Sequence, residues 1–220
     1  MIVQLRKEDG PGRGQDGRET RDGGPGRDTR ARVVEAARAL FHEKGYASTS
    51  MRDILGRAGA NSGSLYHFFA TKQDLLAAVL DTYAEGIRPM LVEPAWKGVH
   101  DPIRRVFALL EAYRRLLTES GFSYGCPIGN LALEMHEPDP PIRQALALNF
   151  RNWIGVVKEC LDGAALSDHV DRDGLATFVL TTMEGAVMLA RTFGGIEPFD
   201  AAVAQLKDHI ARLAREEKTR

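Results

Sequence analysis

Residues 48–72 read STSMRDILGRAGANSGSLYHFFATK, and this stretch decides the fold. Ser50 followed three residues later by Asp53 makes a capping box that opens a short helix, with Ile54, Leu55 and Ala58 turned inward. Gly59-Ala60 turns the chain, and Asn61 caps a second short helix that runs to Phe69. Thr71 with Asp74 repeats the capping pattern and starts a longer helix. Two short helices joined by a tight glycine turn form a helix-turn-helix, whose second helix fits the major groove of DNA. On that helix Leu65 and Phe69 lie one turn apart and face the core, which leaves Ser62, Gly63, Tyr66 and His67 on the open side. Gly63 lets backbone approach bases, and Tyr66 and His67 can donate to phosphates or base edges. Lys72 stands in the first turn of the next helix, where the dipole already favours a phosphate.

Outward from this stretch the pattern stays helical. Val33, Ala37, Leu40 and Phe41 mark the inner face of a preceding helix that Gly45 stops. Asp101-Pro102, Cys126-Pro127 and Asp139-Pro140 each open a later helix, with proline at the tolerated first position. Two more follow, at about 171–193 and 198–216, separated by Gly194-Gly195. No alternating strand and no internal repeat survives a count, so the expected fold is all-α with about nine helices. Residues 1–28 hold seven glycines, two prolines, six Lys/Arg and six Asp/Glu, which predicts a disordered tail. The expected organisation is a tail over 1–28, a helix-turn-helix domain over 29–75 and a helical effector and dimerisation domain over 76–220. A formal GxGxxG over 12–17 lies in the tail with no strand before it and no helix after it, so it carries no dinucleotide reading.

Composition removes several classes. A formal net charge of -1 over 220 residues says nothing of an acidic partner, so any such role rests on local charge. Residues 29–72 supply it: seven cations (Arg30, Arg32, Arg38, Lys44, Arg52, Arg57, Lys72) against three acids (Glu35, Glu43, Asp53), a local +4. Two cysteines, Cys126 and Cys160, do not make a disulfide scaffold. The N-terminus lacks an apolar signal region, and no stretch reads as the ~18 apolar residues of a membrane span; a cytoplasmic protein with no membrane partner is expected. Gly121-Phe122-Ser123-Tyr124-Gly125 matches GxSxG, but that elbow needs a strand before its helix, and this one follows helical residues. No E-x-x-H pair occurs, and the histidines are scattered. An enzyme, a metal and a cofactor are therefore not expected. The remaining alternative to DNA binding is a helical interaction module that binds no nucleic acid.

The segment RVVEAARALFHEKGYASTSMRDILGRAGANSGSLYHFFATKQDLLAAVL, residues 32–80, resembles the N-terminal domain of TetR/AcrR-family transcriptional repressors. Phe41, Gly45-Tyr46, Ile54, Gly59, Gly63, Leu65-Tyr66, Phe69 and Lys72-x-x-Leu75 carry the resemblance. It implies a homodimer on a palindromic operator of double-stranded DNA, released by a small-molecule effector in the C-terminal domain. Carried over by position, it implies DNA contacts at Ser50, Ser62, Gly63, Ser64, Tyr66, His67 and Lys72. At Ser62 the family often has a basic residue or proline, which implies a weaker phosphate contact there. Arg30, with Arg27 and Arg32, stands at the tail junction, where phosphates or the minor groove are in reach.

The C-terminal half offers three features. The last helix reads Phe199, Val203, Leu206, Ile210, Leu213 at spacings of 4, 3, 4, 3, a seam for another helix. With the small Gly185-Ala186 of the preceding helix, it predicts a four-helix dimer interface. Glu184 is the only charge between Leu175 and Ala190 and must pair, titrate or touch a ligand. Third, Tyr124 to Glu134, YGCPIGNLALE, resembles a G-C-x-x-G-N-L-x-x-E segment of TetR regulators that include quinone- and electrophile-responsive repressors. Cys126 at a helix N-terminus, where the dipole lowers a thiol pKa, is a candidate redox or electrophile sensor with Cys160 as a candidate resolving thiol; the alternative is a free cysteine that serves as a small buried hydrophobe. Asn130 and Glu134, one turn apart, are expected polar anchors. The expected effector pocket comprises Phe107, Cys126, Asn130, Glu134, Trp153, Met183 and Glu184. Tyr113, Phe122, Tyr124, Phe150 and Met188 are further wall candidates, because bulky apolar groups line pockets and cores alike.

Overall fold

The computed structural model describes residues 25–216, and for residues 25, 26, 64, 65, 215 and 216 the backbone alone. The helices are α1 (Pro25–Lys44), α2 (Met51–Ala58), α3 (Ser62–Phe68) and α4 (Lys72–Ile87), then a π-helical stretch (Arg88–Val92) and α5 (Glu93–Trp96). They continue with α6 (Pro102–Glu119), α7 (Pro127–Glu134), α8 (Pro140–Asp162), α9 (Arg172–Phe193) and α10 (Glu197–Glu216). Because α4, the π stretch and α5 run on without a break, the described residues hold nine helical runs and no strand. The chain is all-α, as its sequence implies.

The expected tail over 1–28 lies outside the described residues up to 24. For 25–28 it is corrected: these residues begin α1. Pro25 has no N–H to lose in a first turn, and Asp28 accepts from Arg32 one turn on at 3.1 Å. The chain divides into two compact units, one ending at Val79 and one beginning at Leu80. The sequence placed this division after residue 75. Both positions fall inside α4, where no turn residue marks a boundary.

In the first unit α1 packs on α2 and α3. Val33, Ala37, Leu40 and Phe41 of α1 are buried, as are Ile54, Ala58, Phe69, Leu75, Leu76 and Val79. Each large side chain sealed there contributes roughly 1.5–3 kcal/mol. Gly45 stops α1 with φ at 83°, its N–H donating to the Phe41 carbonyl at 3.0 Å. Thr49 is buried beside this turn because its hydroxyl donates to the Gly45 carbonyl at 2.7 Å. The capping box at α2 is complete: Ser50 Oγ accepts from the Asp53 N–H at 3.1 Å, and Asp53 accepts from the Ser50 N–H at 2.9 Å. Gly59 then closes α2 in the left-handed region, at φ 58°.

In the second unit, aspartates satisfy the helix starts. Asp101, Asp139 and Asp171 accept the third backbone N–H of α6, α8 and α9 at 2.7, 3.3 and 2.9 Å. Such a cap is worth about 1 kcal/mol. At α7 the capping atom is the Cys126 sulfur, 3.5 Å from the Gly129 N–H. α9 packs against α6, α8 and α10 and buries Leu175, Ala176, Val179, Leu180, Met183, Ala186, Val187 and Ala190. This corrects two expectations. By length and composition α9 is apolar enough to cross a membrane, although no such stretch was expected; here one of its faces fills the core of its own unit. The α10 seam is also spent within the chain: Phe199, Leu206 and Ile210 are buried in that core, and Val203 and Leu213 pack against it. A 4-3-4-3 spacing states that a helix has a partner, not that the partner is another chain. The α10 residues are therefore not a free dimer surface.

Two glycine substitutions separate backbone strain from helix propensity. Gly56 lies in the exposed middle of α2 with open space around a would-be Cβ, and Gly59 has equal space but a left-handed φ. Gly56→Ala is expected to stabilise by about 0.5–1 kcal/mol and Gly59→Ala to destabilise by about 1–2 kcal/mol. Thermal unfolding of the full chain followed by circular dichroism reads both; shifts of the same sign would refute the left-handed turn.

Candidate nucleic-acid interface and buried polar cluster

The helix-turn-helix places its open face as the spacing implies. Phe69 is buried, while Ser62, Gly63 and His67 are exposed and Tyr66 is 56% exposed. His67 stands edge-on to Phe68, ring centres 5.0 Å apart. The side chains of Ser64 and Leu65 lie outside the described residues. The exposed face thus offers a hydroxyl, bare backbone, a phenol and an imidazole, all groups that donate to phosphates or base edges.

The charges around it are less available than their count suggests. Arg32 pairs with Asp28, Arg38 with Glu35 and Arg57 with Glu43, the last two through two bonds each. That hydrogen-bonded guanidinium holds the Glu43 carboxyl below its usual range. Lys72 donates to the Tyr46 carbonyl and lies 4.0 Å from the centre of the Tyr46 ring. Its ammonium therefore braces the turn after α1, a task the motif position did not disclose. Ser50 is similarly engaged, its hydroxyl donating to Asp53 at 2.7 Å. Arg30 is exposed, with its guanidinium 5.2 Å from the Phe69 ring centre. Arg52 and Lys44 are exposed and form no salt bridge among the described residues. Arg52, in the first turn of α2, was counted as charge but not chosen as a contact.

The second unit gathers one polar side chain from each of four elements: Tyr113 on α6, Cys126 at the start of α7, Trp153 on α8 and Glu184 on α9. Tyr113 meets the Trp153 indole edge-on, ring centres 6.4 Å apart. Trp153 is 5% exposed, and its Nε1 has only the Tyr113 phenol beside it, at poor geometry; Glu184 Oε1 has no partner. A methyl group at Gly129 would overlap Glu184 Oε2, so glycine is what lets the carboxylate sit against the start of α7. Gly125 does the same for Arg191, whose Cδ would lie 2.9 Å from an added Cβ.

Electrostatics overturns the expectation for Cys126. Burial, then the neighbouring Glu184 charge, push its thiol well above the usual value. The Gly129 N–H opposes this and is outweighed, so the helix terminus does not yield a ready thiolate. Burial raises the Glu184 carboxyl too, with the Cys126 thiol pulling it partly back. Tyr113 is raised by burial and by the charges of Cys126 and Glu184. Cys160 is buried in the core and pushed up to about 11 by burial and by Glu159, a poor resolving thiol.

Other expected pocket residues separate. Met183 is sealed in the core, and Phe107 is half-buried against it. Asn130 is corrected as a pocket anchor, because its Oδ1 accepts from Arg191 at 3.1 Å. Arg191 also donates to the Ser123 carbonyl at 3.3 Å. Phe122 sets that carbonyl in place at a left-handed φ of 61°, unusual for a bulky residue. Gly121–Gly125 is thus a helix-to-helix loop and no nucleophile elbow. Glu134 is partly exposed on α7, and Met188 is 54% exposed and lines no pocket. Met188 belongs instead to a stripe on α9 of which the sequence reading assigned Gly185 to the dimer but left out Phe178, Thr181 and Phe193: Phe178, Thr181, Gly185, Met188, Leu189 and Phe193 stand on its outer side, and all but Gly185 are exposed. The signal was present in their spacing of three and four, but the inner face of α9 is equally apolar.

Comparison with known proteins agrees with this geometry. Residues 33–79 match the model of bacterial regulatory proteins of the tetR family, and residues 102–205 match the LmrA/YxaF-like transcriptional regulator C-terminal domain. The HTH-type transcriptional regulator LmrA of Bacillus subtilis is 28% identical over 75% of this chain and 87% of its own. The HTH-type transcriptional repressor DhaR of Mycobacterium sp. strain GP1 is 25% identical over 78% of this chain and 86% of its own. The crystal structure of a TetR transcriptional regulator from Chloroflexus aurantiacus is 32% identical, covering 84% of this chain and 96% of that one at a TM-score of 0.70. The two matched segments fall on the two units, and the chain belongs to the TetR family of DNA-binding, helix-turn-helix transcriptional regulators.

Proposed function

We propose that this regulator is a repressor that binds a palindromic operator as a homodimer and is released by a small organic effector held in its second unit. The observation that carries the reading is the α3 face, where Ser62, Gly63, Tyr66 and His67 stand open above a buried Phe69. Arg30, Arg52 and Lys44 supply the nearby charge for phosphates, and Lys72 acts chiefly by bracing Tyr46. The related DhaR is described as a repressor, which supports the sense of regulation. For the dimer, the outer stripe of α9 replaces the α10 seam: Gly185, with no atom within 4 Å of an added Cβ, allows close approach between flanking Phe178, Met188 and Leu189. An effector is favoured over thiol modification, because both cysteines are buried with raised pKa values.

Three measurements test this. Binding to promoter-proximal DNA is expected to weaken steeply with salt, and the Tyr66→Ala/His67→Ala variant to bind the operator about 10- to 100-fold more weakly. No binding at low salt, or full affinity in the variant, would refute the reading. Sedimentation velocity is expected to give twice the 24.2 kDa chain mass, reduced to one chain by Gly185→Glu/Met188→Glu. A wild-type monomer, or a variant that stays dimeric, would remove the α9 interface. Both thiols are expected to react with Ellman's reagent at pH 8 at least tenfold more slowly in the native protein than in denaturant. An equally fast native reaction at Cys126 would return thiol sensing to the foreground.

A further inference from the structure

Two buried polar atoms in the second unit lack a well-formed hydrogen bond: Glu184 Oε1 has no partner, and Trp153 Nε1 has only the Tyr113 phenol beside it. Such atoms are few in a folded protein, and each calls for an explanation. Here they belong to one cluster. Trp153 is in edge contact with Tyr113, while the charges of Cys126 and Glu184 act on Tyr113 and Cys126 shares a hydrogen bond with Glu184. Tyr113 and Glu184 retain some exposure whereas Trp153 is sealed, so the cluster runs from the edge of the core inward. Phe107, Phe150 and Ile154, all half-buried, pack against the same core, and the flexible Met183 is sealed within it. Unbranched methionine repacks readily, which gives this region a means of admitting a guest.

The donor set defines what that guest is. Glu184 accepts and Trp153 donates. Arg191, two turns further along α9, is held by Asn130 and the Ser123 carbonyl. The hydrogen-bonding neighbour of Glu184 is the Cys126 thiol, and none of the salt bridges among the described residues involves Glu184. Gly129 contributes no side chain and leaves the carboxylate its place against α7. Aromatic faces at Trp153 and Tyr113 suit the same class of guest, since rings attract ammonium groups.

We infer that Glu184 and Trp153 are the polar subsite for a monocationic amine with an apolar or aromatic body, the ammonium donating to Glu184 and an ether or carbonyl oxygen accepting from Trp153. The inference rests on the effector-released reading and names its ligand class. It assigns Glu184 the selecting role and makes Cys126 a neutral wall of the site.

The test is calorimetric titration of the full chain with 3-(4-methoxyphenyl)propylamine and its neutral counterpart 3-(4-methoxyphenyl)propanol. The amine is expected to bind one per chain, and the alcohol at least tenfold more weakly. Glu184→Gln should bring the amine down to the level of the alcohol, a loss of about 10- to 100-fold. Trp153→Phe should weaken both probes by a similar factor. Equal binding of both probes by the wild type, unchanged amine binding in Glu184→Gln, or no amine binding at millimolar concentration would each overturn the inference. If Glu184→Gln does not fold, the amine-to-alcohol ratio of the wild type decides alone. Operator binding measured on the same protein separates the readings: DNA bound without amine bound sinks only this one.

Discussion

The second unit depends on the burial of one face of α9. Eight residues of that helix, from Leu175 to Ala190, are sealed against α6, α8 and α10, and the α10 seam exists to cover them. Everything distinctive in the unit is placed by that contact. Glu184 sits on the border between the sealed face and the open one, so its carboxylate reaches the start of α7. Arg191, two turns further on, ties the loop before α7 to the same helix. The glycines at 125 and 129 are the other half of this arrangement, because side chains there would collide with Arg191 and Glu184.

Desolvation governs the chemistry of the cluster. A thiol at a helix N-terminus is favoured as thiolate when solvent shares the site, since the dipole then acts without a large burial penalty. Here the penalty is the largest effect on Cys126, and the neighbouring Glu184 charge adds to it. The same burial raises Glu184 itself, with the Cys126 thiol pulling it partly back.

The first unit spends its charge differently. Of the seven cations between 29 and 72, three neutralise acids of the same unit and Lys72 is held on Tyr46. Arg57 with Glu43 ties α2 to α1, and Lys72 with Tyr46 ties the start of α4 to the turn after α1, whereas the pairs of Arg32 and Arg38 lie within α1. Arg30, Arg52 and Lys44 take no part in these pairs.

Local chemistry was legible in the sequence. Ser50 with Asp53, Thr71 with Asp74, and the aspartates before Pro102 and Pro140 act over three residues, so their spacing alone fixes where helices begin. Gly45 and Gly59 likewise mark where helices end, and the burial of Phe69 and exposure of Tyr66 and His67 followed from a single helical period. The family resemblance over residues 32–80 rested on these same positions. What only the tertiary structure decided are the roles set by neighbours distant in the chain. The α10 seam pairs with α9 of its own chain, Lys72 turns to Tyr46, Asn130 holds Arg191, and Cys126 is kept protonated by burial beside Glu184. A sequence pattern records that a side chain will be buried or paired, because that depends on its own polarity and period. It does not record with what, because the partner and the local dielectric arise only when helices from distant parts of the chain pack together.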